Sequence, residues 1–103
     1  MTPHDPFALA FNALAHPRRM RLFRLLVDQP EAGRSFSTLA TRSGYRRTAL
    51  AHHLEIMERG GLLRRKRIGN AMTFQLTPGR LVAAMAEVDR LAGQSTRMFQ
   101  RAS

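Results

Sequence analysis

Two glycine breaks constrain most of what this chain can fold into. Gly44 ends a short apolar-periodic stretch, and Gly60-Gly61 ends the next, so residues 37–59 read as two brief helices joined by a tight turn. Shortly after comes Gly69-Asn70, a two-residue hairpin turn. It separates Arg64-Arg65-Lys66-Arg67 from Met72-Thr73-Phe74-Gln75-Leu76. A helix-turn-helix followed at once by a basic hairpin is the pattern of a winged helix.

The remaining elements frame that unit. Asp5-Pro6 opens a first helix, with Asp5 as N-cap and an apolar stripe of Phe7, Phe11 and Leu14. His16-Pro17 breaks it, because the residue before proline avoids the helical region. Pro17 starts a second helix that buries Met20, Leu22, Phe23, Leu26 and Val27, with Arg18, Arg19, Arg21 and Arg24 mainly on its wet sides. Asp28 to Arg34 reads as a loop. Ser37 is expected to cap the third helix, and Tyr45, Arg46 and Arg47 lead into the fourth. Thr77-Pro78 starts a last helix with Leu81, Met85, Val88 and Ala92 at 4-3-4 spacing, which Met98 and Phe99 extend. The expected order is α-α-α-α-β-β-α, and the fold class is mainly α, an α+β winged helix-turn-helix with a two-stranded wing.

Charge says what such a fold would meet. The net charge is +10, and sixteen of the seventeen cations are arginine. Arginine's planar fork suits phosphates and guanine edges, although genome composition also favours arginine over lysine. Composition bias does not explain the net charge or its placement. Ten of the cations lie between Arg34 and Arg80, where the only acids are Glu55 and Glu58. A polarised basic domain implies an anionic partner, and double-stranded DNA fits this fold.

Other classes are disfavoured. The 103 residues suit one domain, and no apolar run approaches a membrane span. The start, Met1 to Pro6, has no basic region leading into an apolar one and does not read as a signal peptide. No cysteine occurs, which excludes disulfides and thiolate metal sites and favours a cytoplasmic location. No phosphate-cradling glycine loop or paired-carboxylate arrangement supports catalysis, and Tyr45 reads as a packing residue. No cofactor is expected. His52 and His53 are adjacent on a helix, point about 100° apart and cannot readily share a metal ion.

The candidate DNA-contacting residues follow from helix geometry. Leu50, Leu54 and Met57 share one face of the fourth helix and belong to the core. Arg46, Arg47, Thr48 and His52 are then assigned to base edges or nearby phosphates, with Ala51 small enough to approach a thymine methyl. In the hairpin, Arg64, Arg65, Lys66 and Arg67 reach toward phosphates or the minor groove, with Asn70 at the tip. Strand alternation prevents all four cations from facing one groove. A solvated basic face and a hairpin charged only for solubility are the plainer alternatives.

Three stretches together resemble the ArsR/SmtB family of winged-helix repressors, over about Phe7 to Leu91. They are Leu14-Ala-His-Pro-Arg-Arg-Met-Arg-Leu-Phe23, then Arg46-Arg-Thr-Ala-Leu-Ala-His-His-Leu54 with Met57, Gly61 and Leu62, then Arg67-Ile-Gly-Asn-Ala-Met-Thr-Phe-Gln-Leu76. The family's cysteine pair ahead of the helix-turn-helix is replaced here by Ser35 and Ser37. Neutral hydroxyls do not hold a soft metal. Asp89 and Glu87 lie on the last helix, but no histidine follows His53. The resemblance therefore implies DNA binding and repression without metal sensing.

It also implies a homodimer, with the terminal helices, 5–15 and 78–100, of a single 1–103 domain at the two-fold interface. Phe7, Phe11, Leu81, Met85 and Val88 are its expected residues, and so short a chain cannot cover both helices by itself. An effector could sit beside Phe7, Phe11 and Met85, and no residue names its chemistry. The function expected is a sequence-specific transcriptional regulator, a repressor by default, on a palindromic operator. The alternatives are sequence-nonspecific nucleic-acid binding and a protein-docking winged helix.

Overall fold

A computed structural model describes residues 5–102, with the side chains of residues 98–102 excepted. The chain's first four residues, the last residue and the side chains of Met98 and Phe99 lie outside the described residues. Eight elements follow in order: α1 (Pro6–Leu14), α2 (Pro17–Val27), β1 (Arg34–Ser35), α3 (Phe36–Ser43), α4 (Arg47–Arg59), β2 (Leu63–Ile68), β3 (Ala71–Leu76) and α5 (Gly79–Ala102).

Local chemistry sets the helix ends. The Asp5 carboxylate accepts from the backbone N–H groups of Phe7 and Ala8 at 2.9 and 3.0 Å, ahead of Pro6. His16 caps α2 in the same way, its Nδ1 accepting from the Arg18 N–H at 3.1 Å. At the far end of α3, Gly44 adopts φ +75°, a left-handed cap that a side chain would strain. That turn redirects the chain into α4.

Two expectations need correction here. The segment before α3 is not all loop: Arg34 and Ser35 pair antiparallel with Phe74 and Thr73, so the sheet has three strands in the order β1-β3-β2. The cap of α3 is Ser35, not Ser37; its Oγ accepts from the Thr38 N–H at 3.1 Å. Both differences have one cause. Pairing of β1 with the wing fixes where the chain turns, and the helix begins directly after Ser35, at Phe36.

The core lies where α1, α2, α3 and α4 meet the sheet. Leu22, Leu26, Leu39, Leu50, Met57 and Leu62 are fully buried. Burial of each such side chain contributes about 1.5–3 kcal/mol. Phe74 closes the core from the wing, and Leu81 and Ala84 anchor the start of α5. Beyond Ala84 the last helix leaves the body of the domain, giving a long molecule of 59 × 25 × 24 Å.

Candidate nucleic-acid interface

Helix α4 divides cleanly into two sides. Leu50, His53, Leu54 and Met57 are buried. Arg47, Thr48, Ala51, His52 and Glu55 are exposed. Thr48 and His52 are four residues apart and so stand one above the other on the outer side. Arg46 occupies the N-cap position without any side-chain capping bond. The first backbone N–H groups of α4 are therefore not satisfied by a side chain, a geometry that suits an anion. Arg47 is partly committed, since its guanidinium lies over the Phe36 ring at 4.9 Å.

The wing is a regular hairpin, with Leu63 opposite Leu76 and Ile68 opposite Ala71 across the Gly69-Asn70 turn. Arg64, Arg65, Lys66, Arg67 and Asn70 are all exposed. They are not equivalent. Arg64 donates to the Gln75 side chain at 3.1 Å, and Gln75 in turn donates to the Glu31 carbonyl at 2.6 Å. Arg65 pairs with Glu58 of α4 at 3.2 Å. Lys66 and Arg67 make no side-chain hydrogen bond or ion pair among the described residues. Residues of one strand face alternate, so Arg65 and Arg67 share a side with Phe74 and Met72, and Arg64 and Lys66 share the other.

Helix and hairpin face each other across a cleft of about 530 Å³. Its floor is apolar, formed by Phe36, Leu54, Met72 and Phe74, with Ala51 on the helix side. Its rim carries two ion pairs, Glu55 with Arg59 and Glu58 with Arg65. The acids of this basic region thus neutralise two named arginines, and the Glu58–Arg65 pair braces the wing against α4.

The structure brings Thr48, Ala51 and His52 into exposed positions on the same helix that borders the wing. It separates the expected interface residues. Leu81 is only 5% exposed, in the protomer's own core, so it does not offer itself to a second chain. Phe11 packs partly against that core. Phe7 is half-buried. Met85 and Val88 are open, and Val82 and Leu91 join them.

Sequence reasoning also placed Arg19 on a wet side, and the structure corrects this. Arg19 is 8% exposed. Its position was readable: it precedes Leu22 by three and Leu26 by seven, the spacing of one helix face. The exposed wing-tip Ile68, an apolar side chain beside Gly69-Asn70, was likewise passed over.

Of the serines at the family's thiolate positions, Ser35 is spent locally: it caps α3 and also donates to the Thr38 hydroxyl at 2.9 Å. Among the described residues no group of three or more His, Asp or Glu side chains is placed to hold a metal. No helix among them is long and apolar enough to cross a membrane.

Residues 14–66 match the helix-turn-helix domain family. The chain belongs to that family. Its fold is the ArsR-type winged helix-turn-helix, mainly helical with a three-stranded antiparallel sheet. An ArsR-like transcriptional regulator from Rhodococcus sp. RHA1 superposes with a TM-score of 0.82 at 25% identity, over 92% of this chain and 87% of that one. The fold is also that of a homodimeric winged helix-turn-helix DNA-binding domain from Mycobacterium bovis, a possible ArsR-family regulator, with a TM-score of 0.68 at 24% identity over 91% and 84% of the two chains. An uncharacterised HTH-type transcriptional regulator of Mycobacterium tuberculosis is 32% identical over 66 residues, 64% of this chain. The chain spans 56% of that relative's length, about half.

Proposed function

We propose that this helix-turn-helix chain is a homodimeric, sequence-specific DNA-binding regulator of transcription that represses by occupying a palindromic operator. One observation carries the reading: Thr48 and His52 stand exposed on the outer side of α4, next to a basic wing braced against the same helix. The amino-terminal half of α4 enters the major groove, where Thr48, His52 and Ala51 meet base edges. Arg46, Arg47 and the open N–H groups at the start of α4 hold the adjacent phosphate. Lys66 and Arg67, with Asn70 between them and the hairpin tip's partner strand, grip the backbone or the minor groove. Arg64 and Arg65 hold the wing's shape as much as they touch DNA, because each already has a protein partner.

The dimer reading rests on α5. Val82, Met85, Val88 and Leu91 are each about half or more exposed, on a helix that packs on the body only along the face carrying Leu81 and Ala84. Apolar surface of that extent on a projecting helix is covered by a partner, and a two-fold copy is the economical one. Two recognition helices related by that axis read half-sites about one DNA turn apart. Occupying a promoter in this way gives repression as the sign.

The test is selection of bound sequences from random duplex DNA, followed by salt titration of variants. A palindrome should emerge. His52→Ala should relax the preferred sequence at defined positions. Lys66→Ala and Arg67→Ala should weaken binding to every duplex alike and each reduce the log–log salt slope by about 0.9. Arg65→Ala should change the slope less, because that side chain is shared with Glu58. Selection that returns no motif, with sequence-blind losses for all variants, would show a nonspecific binder instead.

A further inference from the structure

Behind α4, on the side turned away from the proposed DNA face, lies a cluster that DNA contact does not use. Arg19 of α2 reaches the last turn of α1, where its Nε donates to the Ala13 carbonyl at 2.7 Å and its Nη2 to the Asn12 carbonyl at 3.2 Å. Its Nη1 lies 3.4 Å from Nδ1 of His53, which is 7% exposed on α4. One guanidinium carried by α2 therefore touches both α1 and α4. The His16 ring sits against His53 with centroids 4.8 Å apart, and the Tyr45 ring lies 6.4 Å away, itself covered by the Arg18 guanidinium at 5.2 Å.

We propose that Arg19 is a positioning residue for the recognition helix: it ties α4 to α1 through His53, and proton uptake by His53 releases the tie. The inference rests on the DNA-binding reading for its consequence, not for its chemistry. Arginine donates at every accessible pH, so His53 can receive its N–H only with a lone pair on Nδ1 and the ring proton on Nε2. A proton on Nδ1 converts the acceptor into a donor and sets imidazolium against guanidinium. The charged and titratable groups facing His53 are His16, Arg18 and Arg19 from α2 and its cap, Tyr45 from the turn before α4, and His52 on α4 itself. None is a carboxylate. From α1 only the Asn12 and Ala13 carbonyls are nearby, and Arg19 already occupies them. Burial first, and then His16, Arg19, His52 and Arg18, hold the His53 pKa below its ordinary 6.5. The neutral, accepting ring is thus the form the fold selects, and acid removes it.

The coupling has a direction. Helix α1 packs on α5, whose open apolar face belongs to the proposed dimer, and Arg19 continues that connection to α4. Acidification should therefore loosen α4 against the dimer helices before the rest of the protomer unfolds.

The experiment uses the intact protein without DNA. Imidazole resonances follow His53 from pH 7.5 to 5.0 by NMR, with His53→Gln assigning the peak, while amide exchange is read for α4 and for the β2–β3 hairpin. The expected result is a loss of protection of about tenfold or more in α4 amides, with the midpoint of His53 and ahead of the hairpin. In His53→Gln, whose side-chain amide can still accept, the step should vanish. Operator affinity measured in parallel should fall by about tenfold over the same range in the wild type and lose that step in His53→Gln. Equal loss of protection in hairpin and α4, or an α4 step that persists in His53→Gln, overturns the proposal. If no duplex is bound specifically at pH 7.5, the DNA reading fails while the exchange data still decide the tie; failure of His53→Gln to fold leaves the wild-type comparison of α4 with the hairpin to decide it.

Discussion

Gly60→Ala is the substitution whose cost follows most directly from the structure. Gly60 caps α4 at φ −76°, a conformation open to any residue, so backbone freedom is not what it supplies. It supplies closeness. A Cβ added there would stand 2.5 Å from the Ala13 Cβ and 2.9 Å from the Leu9 carbonyl oxygen, both on α1. Carbon atoms pack at about 3.5–4.0 Å. Neither neighbour can rotate away, one being a bare methyl and the other backbone, so α1 and α4 must separate by about 1 Å. Overpacking of this kind costs about 1–3 kcal/mol. The helix preference for Ala over Gly returns at most about 1 kcal/mol. The net loss of about 1–2 kcal/mol should lower Tm by about 5–15 °C. Urea unfolding should show a lower midpoint at unchanged slope. Gly79→Ala is the control with the opposite sign: nothing lies within 4 Å of its added Cβ, and it should stabilise by about 0.4–1 kcal/mol. A Gly60→Ala protein as stable as the wild type would refute the close α1–α4 approach.

Three further outcomes are expected. Met85→Glu with Val88→Glu should convert dimer to monomer in sedimentation while the helical circular dichroism of the folded body persists, since both side chains are open in the protomer. Ser35→Ala removes the cap of α3 and should cost about 1 kcal/mol in urea unfolding. Stability should fall in mild acid: the unfolded chain takes up the His53 proton near pH 6.5, before the folded protein does. That contribution is complete above pH 6.5 and is lost as the pH drops below it toward the lowered folded value; a pH-independent midpoint between 7.5 and 5.5 would contradict it.

The elements that announced themselves in the sequence were those whose cause is local. Asp5-Pro6, His16-Pro17, Gly44 and Gly69-Asn70 set their boundaries through bonds and torsions within three or four residues, and each lies where the pattern put it. Strand β1 was invisible for the opposite reason. Two residues carry no alternation, and Arg34 becomes a strand only because Phe74, forty residues on, pairs with it. The cap of α3 moved with it from Ser37 to Ser35. Arg19 was misplaced by residue type overriding position, an arginine being read as wet. Leu81 was read outward from its 4-3-4 spacing, and the first member of that seam is instead covered within the chain. Periodicity alone would have put Arg19 beside Leu22 and Leu26.

The same distinction decides what the positive charge is for. Composition counts every arginine alike, yet Arg19 is consumed by main-chain carbonyls, Arg34 donates to the Leu25 carbonyl at 2.6 Å, Arg47 lies over Phe36, and Arg59 and Arg65 are held by Glu55 and Glu58. Exposed pairs of this kind contribute only about 0–1 kcal/mol to stability. Their larger effect is on placement and charge: Glu58 holds the wing to α4 through Arg65, and Glu55 and Glu58 together cancel charge at the cleft. Cations with no such partner, among them Arg46 at the start of α4 and Lys66 and Arg67 on the wing, then stand beside a neutral cleft. A polyanion with two separated rails of charge, spaced to straddle an inserted helix, meets that arrangement better than a uniformly basic surface would. Salt should accordingly weaken binding through those few side chains, and the slope per variant, rather than the net charge of +10, measures how many of them a phosphate touches.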